Sequence, residues 1–295
     1  MKQAMIIINP SSGKEKALVY VRQVEDILHN KGYEVSVCET VKPLDATKFC
    51  LQACKEYVDL VVSIGGDGTL HETINGLIDQ EYRPTLGVVP LGTINDFARA
   101  LNIPLDPEKA IHTLTSSIVK TVDIGKMNDR LFANVVAVGS LAESLSSVSS
   151  EEKTKLGAFA YLKEGFKELI KTSSHPLTIM HDGESWIGES LLFVVALTNS
   201  VGGFEKMVPE ASVDDGLLHC FIIKDINVFN TITVGTSLLF GSLKEHKDVV
   251  YFTAKQVQVT SSEQIHTNVD GEDGPPLPLE LRILPSHIEV IVPEK

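Results

Sequence analysis

The chain has 295 residues, 43% of them hydrophobic and 22% charged, which is the make-up of a globular protein with about two domains, each large enough for a core of its own. Its 26 Lys and Arg against 39 Asp and Glu give a net charge of −13, which argues against nucleic acid as a partner because that function needs a positive field. Four cysteines are too few for a disulfide scaffold, no apolar run nears the roughly 20 residues that span a bilayer, and the opening residues are broken by Asn9 and Pro10 rather than forming a signal peptide, so a cytoplasmic protein with reduced thiols is expected.

The first part of the chain alternates strand and helix. Met5 to Ile8 reads as a short buried strand, followed by a helix from Lys14 to Asn30 with apolar residues at Leu18, Val21, Val24 and Leu28. Tyr33 to Cys38 is a strand and Leu44 to Tyr57 a helix. Ala46, Phe49, Cys50, Ala53, Cys54 and Tyr57 form one stripe of that helix, a buried face rather than a metal site. Leu60 to Ile64 is a continuous apolar strand, Thr69 to Ile78 a helix and Thr85 to Val89 a strand, with helices at Asn95 to Leu101 and Pro107 to Leu114. Such strict succession predicts a parallel sheet covered on both faces.

From Val119 onward the pattern changes to short β runs: Val119 to Ile124, Leu131 to Val138, Leu177 to Met180, Leu191 to Leu197, Leu218 to Ile223, Val249 to Thr253, Val257 to Thr260 and Ile288 to Val292. Turn pairs such as Asp182-Gly183, Asp215-Gly216 and Asp270-Gly271 separate them, and one helix is expected around Gly157 to Lys171. The reading is an α/β domain with a parallel sheet over 1–124, followed by a mostly antiparallel β-sandwich domain over 125–295.

The densest chemical signal is Gly65-Gly66-Asp67-Gly68-Thr69, which follows a buried strand and opens a helix, where an α/β sheet binds phosphate. Its glycines allow a backbone to approach a ligand closely, and Thr69 with Glu72 has capping-box spacing. Asp67 is unexpected there: a carboxylate would repel a nucleotide phosphate by about 4 kcal/mol at 4 Å with an effective dielectric of 20, unless a divalent cation lies between them. Asn9 to Gly13 and Pro90 to Phe97 are loops in equivalent positions, so three loops line one crevice at the carboxyl ends of three parallel strands. A Walker A loop is excluded because Glu15 stands in place of Ser or Thr. The dinucleotide fingerprint lacks its third glycine, and His71-Glu72-Thr73-Ile74-Asn75 falls one ligand short of a zincin.

These motifs, with Asn95-Asp96-Phe97-Ala98-Arg99 and Asp270-Gly271-Glu272, resemble the diacylglycerol kinase catalytic family of lipid kinases, related to sphingosine and ceramide kinases, over essentially the whole chain. The resemblance implies an NAD kinase/diacylglycerol kinase-like fold with the site between its two domains. It implies ATP contacts at Asn9, Pro10, Ser11, Ser12, Gly13, Thr40, Gly65, Gly66, Asp67, Gly68, Thr69, Leu70, His71 and Thr93. It also implies a catalytic base at Glu272, acidic residues linked to catalytic Mg²⁺ at Asp67, Asp96 and Asp123, and a second Mg²⁺ site at Ser212, Asp215 and Leu217. Two positions depart from the family pattern: Ile94 replaces a glycine and His71 an asparagine.

The expected partner is a lipid substrate, met by transient contact with a membrane surface. Leu156, Phe159, Tyr161 and Phe166, with Lys153, Lys155, Lys163 and Lys167, are a candidate docking face, an ordinary amphipathic helix being the plainer account. An NAD kinase-like enzyme, or a nucleotide- or lipid-binding regulator with weak catalysis, is the alternative. The acceptor lipid and the oligomeric state, a homodimer included, stay open.

Overall fold

A computed structural model describes residues 1–15, 17–139, 174–203, 208–225, 233–234, 237 and 241–294. The chain divides into two units, Met1–Ile124 with Pro285–Lys295, and Gly125–Leu284. The 125–295 reading carries the second domain to the last residue; by its contacts Pro285–Lys295 groups with the first unit. Two contacts place it there: Val290 pairs in parallel with Leu86, and the Val292 amide donates to the Ile118 carbonyl.

In the first unit, β1 (Lys2–Ile8), β2 (Tyr33–Glu39), β3 (Leu60–Gly65) and β4 (Thr85–Pro90) form a parallel sheet in the order β4-β3-β1-β2. All six residues of β3 and five of the seven in β1 are buried, which is why both read as apolar runs, interrupted in β3 by the buried Ser63. The chain steps from β1 to β2 on one side and then to β3 on the other. Right-handed crossovers therefore send α2 (Ala17–Asn30) to one face and α3 (Asp45–Lys55) and α4 (Asp67–Asn75) to the opposite one. The packing agrees: α3 lies on α4, and α2 lies on α6 (Pro107–Thr113). Between α4 and α6 runs α5 (Asp96–Ala100), and the short α1 (Ser12–Glu15) precedes α2.

Two helix faces differ from their sequence reading. In α2 the buried stripe is Ala17, Val21, Val24 and Leu28, one position ahead of the expected Leu18, which is 48% exposed. In α3 the stripe narrows to Ala46, Cys50, Ala53 and Cys54, because the helix stops at Lys55 and Tyr57 lies beyond it in a left-handed conformation.

The second unit is an antiparallel β-sandwich. It contains β6 (Arg130–Phe132), β7 (Val135–Gly139), β8 (His175–His181), β9 (Glu184–Ala196), β10 (Leu218–Lys224), β11 (Val249–Ala254), β12 (Gln256–Thr260), β13 (Thr267–Val269) and β14 (Glu272–Asp273). β5 (Val119–Met127) enters the unit and β15 (Leu279–Ile291) leaves it. The first half of β9 pairs with β8, while its second half lies between β7 and β10. There Phe193 and Val195 face one apolar core and Leu192, Val194 and Ala196 face another, so seven consecutive residues are buried. Asp182-Gly183 closes the β8–β9 hairpin and Asp270-Gly271 the β13–β14 hairpin. Each is a two-residue turn with both residues at positive φ, as type I′ geometry requires. The helix expected around Gly157 to Lys171 lies outside the described residues.

Candidate functional site

The four parallel strands of the first unit end nearly level, with Ile8 opposite Ile64 and Glu39, and Gly65 opposite Pro90. The loops that follow share one edge and are tied together there. The Asn9 amide donates to the Ile64 carbonyl, Thr40 to Ile8 and Leu91 to Gly65. Strand order reverses between β1 and β3, so Asn9 to Gly13 and Gly66 to Gly68 flank the switch point where such sheets take ligands. Pro10, Ser11 and Ser12 occupy the first loop, where the Asn9 side chain accepts from the Ser11 amide. Gly13, at φ +61, sits against Leu91 of the third loop.

The glycines of the central loop serve packing between loops. A Cβ on Gly65 would lie 2.5 Å from Thr69 Oγ1, and one on Gly92 would lie 3.0 Å from the Gly66 Cα and 2.6 Å from Asn95 Oδ1. Gly66 is the N-cap of α4, a nine-residue helix that opens at the loop edge, and makes no side-chain cap hydrogen bond. The expected capping box is not formed. Glu72 reaches out of its own helix instead, and its two carboxylate oxygens accept from the Leu44 and Ala46 amides at the start of α3. Thr69 and Leu70 are buried along α4, and His71 lies on its flank with Nε2 3.2 Å from the Asn75 side-chain nitrogen.

Asp67 is anchored by a residue that the sequence reading left without a role of its own. The Asn95 amide donates to Asp67 Oδ2 at 2.9 Å, while the Asn95 side chain closes a ring with Gly92, accepting from its amide and donating to its carbonyl. Asn95 adopts φ +55, a conformation asparagine tolerates, which is the one local signal that could have singled it out. Ile94 thus fills the family's glycine position without left-handed strain, and its carbonyl accepts from Arg99. Thr93 is exposed at the tip of the same loop. Asp96, adjacent to Asn95, is buried at the start of α5. Asp123 is buried in β5, and its Oδ1 accepts from the Ser286 amide at 2.7 Å. The geometry thus brings Asp67 to the Asn95–Asp96 loop and fixes Asp123 against β15.

In the second unit Glu272 is exposed, one residue past the Asp270-Gly271 turn. Asp270 is used differently. Its carboxylate accepts from the Ala133, Asn134 and Val135 amides at 2.7 to 2.9 Å. Ala133 and Asn134 lie between the ladders with their amides on Asp270, so the expected strand Leu131 to Val138 is split into β6 and β7.

The loop before β10 holds Ser212, Asp215 and Leu217. Asp215 Oδ2 accepts from the Ser212 amide and Oδ1 from the Leu217 amide, and His219 Nε2 lies 3.0 Å from Oδ2. Burial opposes ionisation of Asp215, but the hydrogen bond from His219 and those from the two amides outweigh it, holding its pKa below the usual carboxylate value. Among the described residues no three His, Cys, Asp or Glu side chains gather into a metal cluster. A cation here would be held by one carboxylate, main-chain carbonyls and water, the hard oxygen set that suits Mg²⁺. The docking stretch from Lys153 to Lys167 lies outside the described residues, and no helix among the described residues is long and apolar enough to cross a membrane.

Comparison with known proteins gives a consistent picture. Residues 3–127 match the diacylglycerol kinase catalytic domain, and residues 134–292 match the YegS C-terminal NAD kinase beta sandwich-like domain. A Bacillus subtilis (strain 168) protein named diacylglycerol kinase is 41% identical over 296 residues, spanning 100% of this chain and 98% of its own length. A Staphylococcus aureus (strain JH9) protein of the same name is 41% identical over 295 residues, spanning 99% of this chain and 93% of its own. Two crystal structures from Bacillus anthracis (strain Sterne) each cover 99% of this chain. One has a TM-score of 0.85 at 29% identity and covers 95% of its own chain; the other, bearing the name diacylglycerol kinase, has 0.76 at 26% and covers 97%.

Proposed function

The chain belongs to the diacylglycerol kinase catalytic-domain family, and from that premise we propose that it transfers the γ-phosphate of ATP, with Mg²⁺, to a free hydroxyl of diacylglycerol or a related lipid. The observation that carries the reading is the anchored Asp67 carboxylate, set at the start of α4 in a loop otherwise built to take an anion. A carboxylate so placed makes chemical sense beside a nucleotide only with a cation between them. Asp67 supplies the hard oxygen that Mg²⁺ prefers, with Asp96 and Asp123 as further carboxylates of the same unit. When bound, Mg²⁺ neutralises charge on the phosphates.

The remaining work falls to the chain itself. Amides and hydroxyls of Asn9 to Gly13 and Gly65 to Thr69 orient the phosphates, with Thr40, Leu70, His71 and Thr93 completing the nucleotide contacts. Glu272 takes the proton of the acceptor hydroxyl, which must be removed as the new P–O bond forms and the bond from the γ-phosphorus to the bridging oxygen breaks, releasing ADP. Ser212, Asp215 and Leu217 hold a second Mg²⁺ in a structural role. A lipid acceptor requires transient contact with a membrane surface, so the enzyme works as a peripheral protein.

The test is ATP labelled at its γ-phosphate, offered diacylglycerol in anionic vesicles, NAD, or no acceptor. Label in the organic phase is expected. Label on NAD, or ATP binding with no turnover, would overturn the reading. Glu272→Gln should lower the rate about 10³-fold while ATP binds as before, general-base removal typically costing on the order of 10² to 10⁴. Full activity in that variant removes the base assignment.

A further inference from the structure

The Asp215 carboxylate is held from behind by a pair of side chains that the proposed chemistry does not use. His219 is 3% exposed on β10 and Tyr251 lies on β11, the strand paired with it. His219 Nδ1 is 2.8 Å from the Tyr251 hydroxyl, and Nε2 is 3.0 Å from Asp215 Oδ2. An ionised carboxylate only accepts, so Nε2 carries a proton, and a neutral ring then accepts from tyrosine at Nδ1. Tyr251 keeps its proton for this bond: burial first, then the negative charges of Glu210 and Asp215, push its pKa up to about 12.

This chain of contacts assigns each lone pair of Asp215. Oδ2 receives two donors, the Ser212 amide and His219, and is filled. Oδ1 receives the Leu217 amide and retains a second lone pair. Gly216, at φ +73, has no atom of the described residues other than its chain neighbours within 4 Å of where a Cβ would stand, so nothing described crowds the loop there.

We propose that His219 and Tyr251 are positioning residues for the cation held by Asp215, locking its carboxylate so that Oδ1 faces the ion. The proposal rests on the reading of Ser212, Asp215 and Leu217 as a Mg²⁺ site. Groups that orient a metal ligand without touching the metal commonly change affinity about 10- to 100-fold when removed. His219→Leu deletes the donor to Oδ2, and Tyr251→Phe deletes only the hydroxyl that orients the ring. His219→Gln places an amide N–H near the position of Nε2.

The measurement is a thermal-shift titration of the full chain with MgCl₂ and no nucleotide, comparing wild type, Asp215→Asn, His219→Leu, His219→Gln and Tyr251→Phe. Wild type should gain Tm with Mg²⁺, and Asp215→Asn should not. His219→Leu should move the Mg²⁺ midpoint upward about tenfold or more, Tyr251→Phe by less than that, and His219→Gln should recover most of the affinity. A purely structural histidine would lower Tm equally with and without Mg²⁺ and leave the midpoint in place, which would overturn the proposal. Should His219→Leu fail to fold, an unmoved midpoint in Tyr251→Phe and His219→Gln alike overturns it. Failure of the underlying site looks different: wild type shows no Mg²⁺-dependent shift, or Asp215→Asn retains it.

Discussion

In the first unit Asp67 receives the amide of Asn95; in the second, Asp270 receives three amides and Asp182 receives those of Lys255 and Gln256. Asp270 and Asp182 each lead a type I′ turn, and their carboxylates bind the turn to a neighbouring stretch of backbone. Asp67 instead begins a helix at a loop edge, where the proposed function has its carboxylate meet the cation of a nucleotide. One residue type thus builds a hairpin in the sandwich and, on the proposed function, marks the nucleotide site on the parallel sheet. Within Asp270-Gly271-Glu272 the division is sharper still, because the aspartate is occupied in holding the hairpin while the glutamate two positions on is exposed.

The largest effect that would break this contrast comes from exchanging the two aspartates for asparagine. Asp270→Asn turns three charge-assisted hydrogen bonds into weaker or mismatched ones, an expected loss of roughly 3 kcal/mol, or on the order of 6 to 12 °C in Tm for a unit of this size. Asp67→Asn should cost clearly less Tm without ligand, yet remove most of the additional Tm that ATP with Mg²⁺ confers. Differential scanning calorimetry with and without nucleotide reads both. If Asp270→Asn were the variant blind to nucleotide and Asp67→Asn the unstable one, the assignment would be reversed.

Much of the first unit is legible in its sequence because a buried parallel strand must be a near-continuous apolar run, and Leu60 to Ile64 can be little else. The sandwich is harder to read. The first half of β9 has one covered face and a polar alternation, so only its doubly buried second half stands out; β13 and β14 are three and two residues long. In β15 the clean alternation from Leu279 to Ile283 is interrupted by Pro285 and Ser286, so only its end reads as a strand. At the site, spacing found the loops and motifs but not their internal bonds. Glu72 has capping-box spacing and caps a different helix, since a long side chain near a helix start can reach a neighbouring N-terminus when the two helices pack together. His219 and Tyr251 lie 32 residues apart and are joined only by strand pairing, which no local pattern reports.

Two glycines sharpen the contrast at a smaller scale. Gly92→Ala would push a methyl into the Gly66 backbone and Asn95 Oδ1, so overpacking of about 1 to 3 kcal/mol is expected along with weaker nucleotide binding. Gly271→Ala meets no atom of the described residues beyond its chain neighbours within 4 Å and suffers only from φ +90, a cost of about 1 kcal/mol, so ATP binding should be untouched. Urea unfolding and nucleotide titration of the two variants test this. Equal loss of nucleotide affinity in both would mean that the Gly66–Gly92 contact is not what shapes the nucleotide edge.

The smallest effect asks whether the contrast follows the unit or the local geometry. Asp45 lies in the first unit but is used as Asp270 is: its Oδ2 accepts from the Val41 and Lys42 amides. The Val41 amide is the main cause that holds its pKa below the ordinary carboxylate value; burial opposes this, and the Lys42 amide with the Lys48 and Lys42 charges adds to it. A carboxylate with a depressed folded-state pKa stabilises the fold above its unfolded value of about 3.9, and that contribution disappears as pH falls through the lower folded value. The Tm gap between wild type and Asp45→Asn should therefore be constant from neutral pH to about 5 and close on further acidification. A gap that persisted into strong acid would show that Asp45 acts through the shape of its turn rather than its charge, and the structural aspartates would then divide into two kinds.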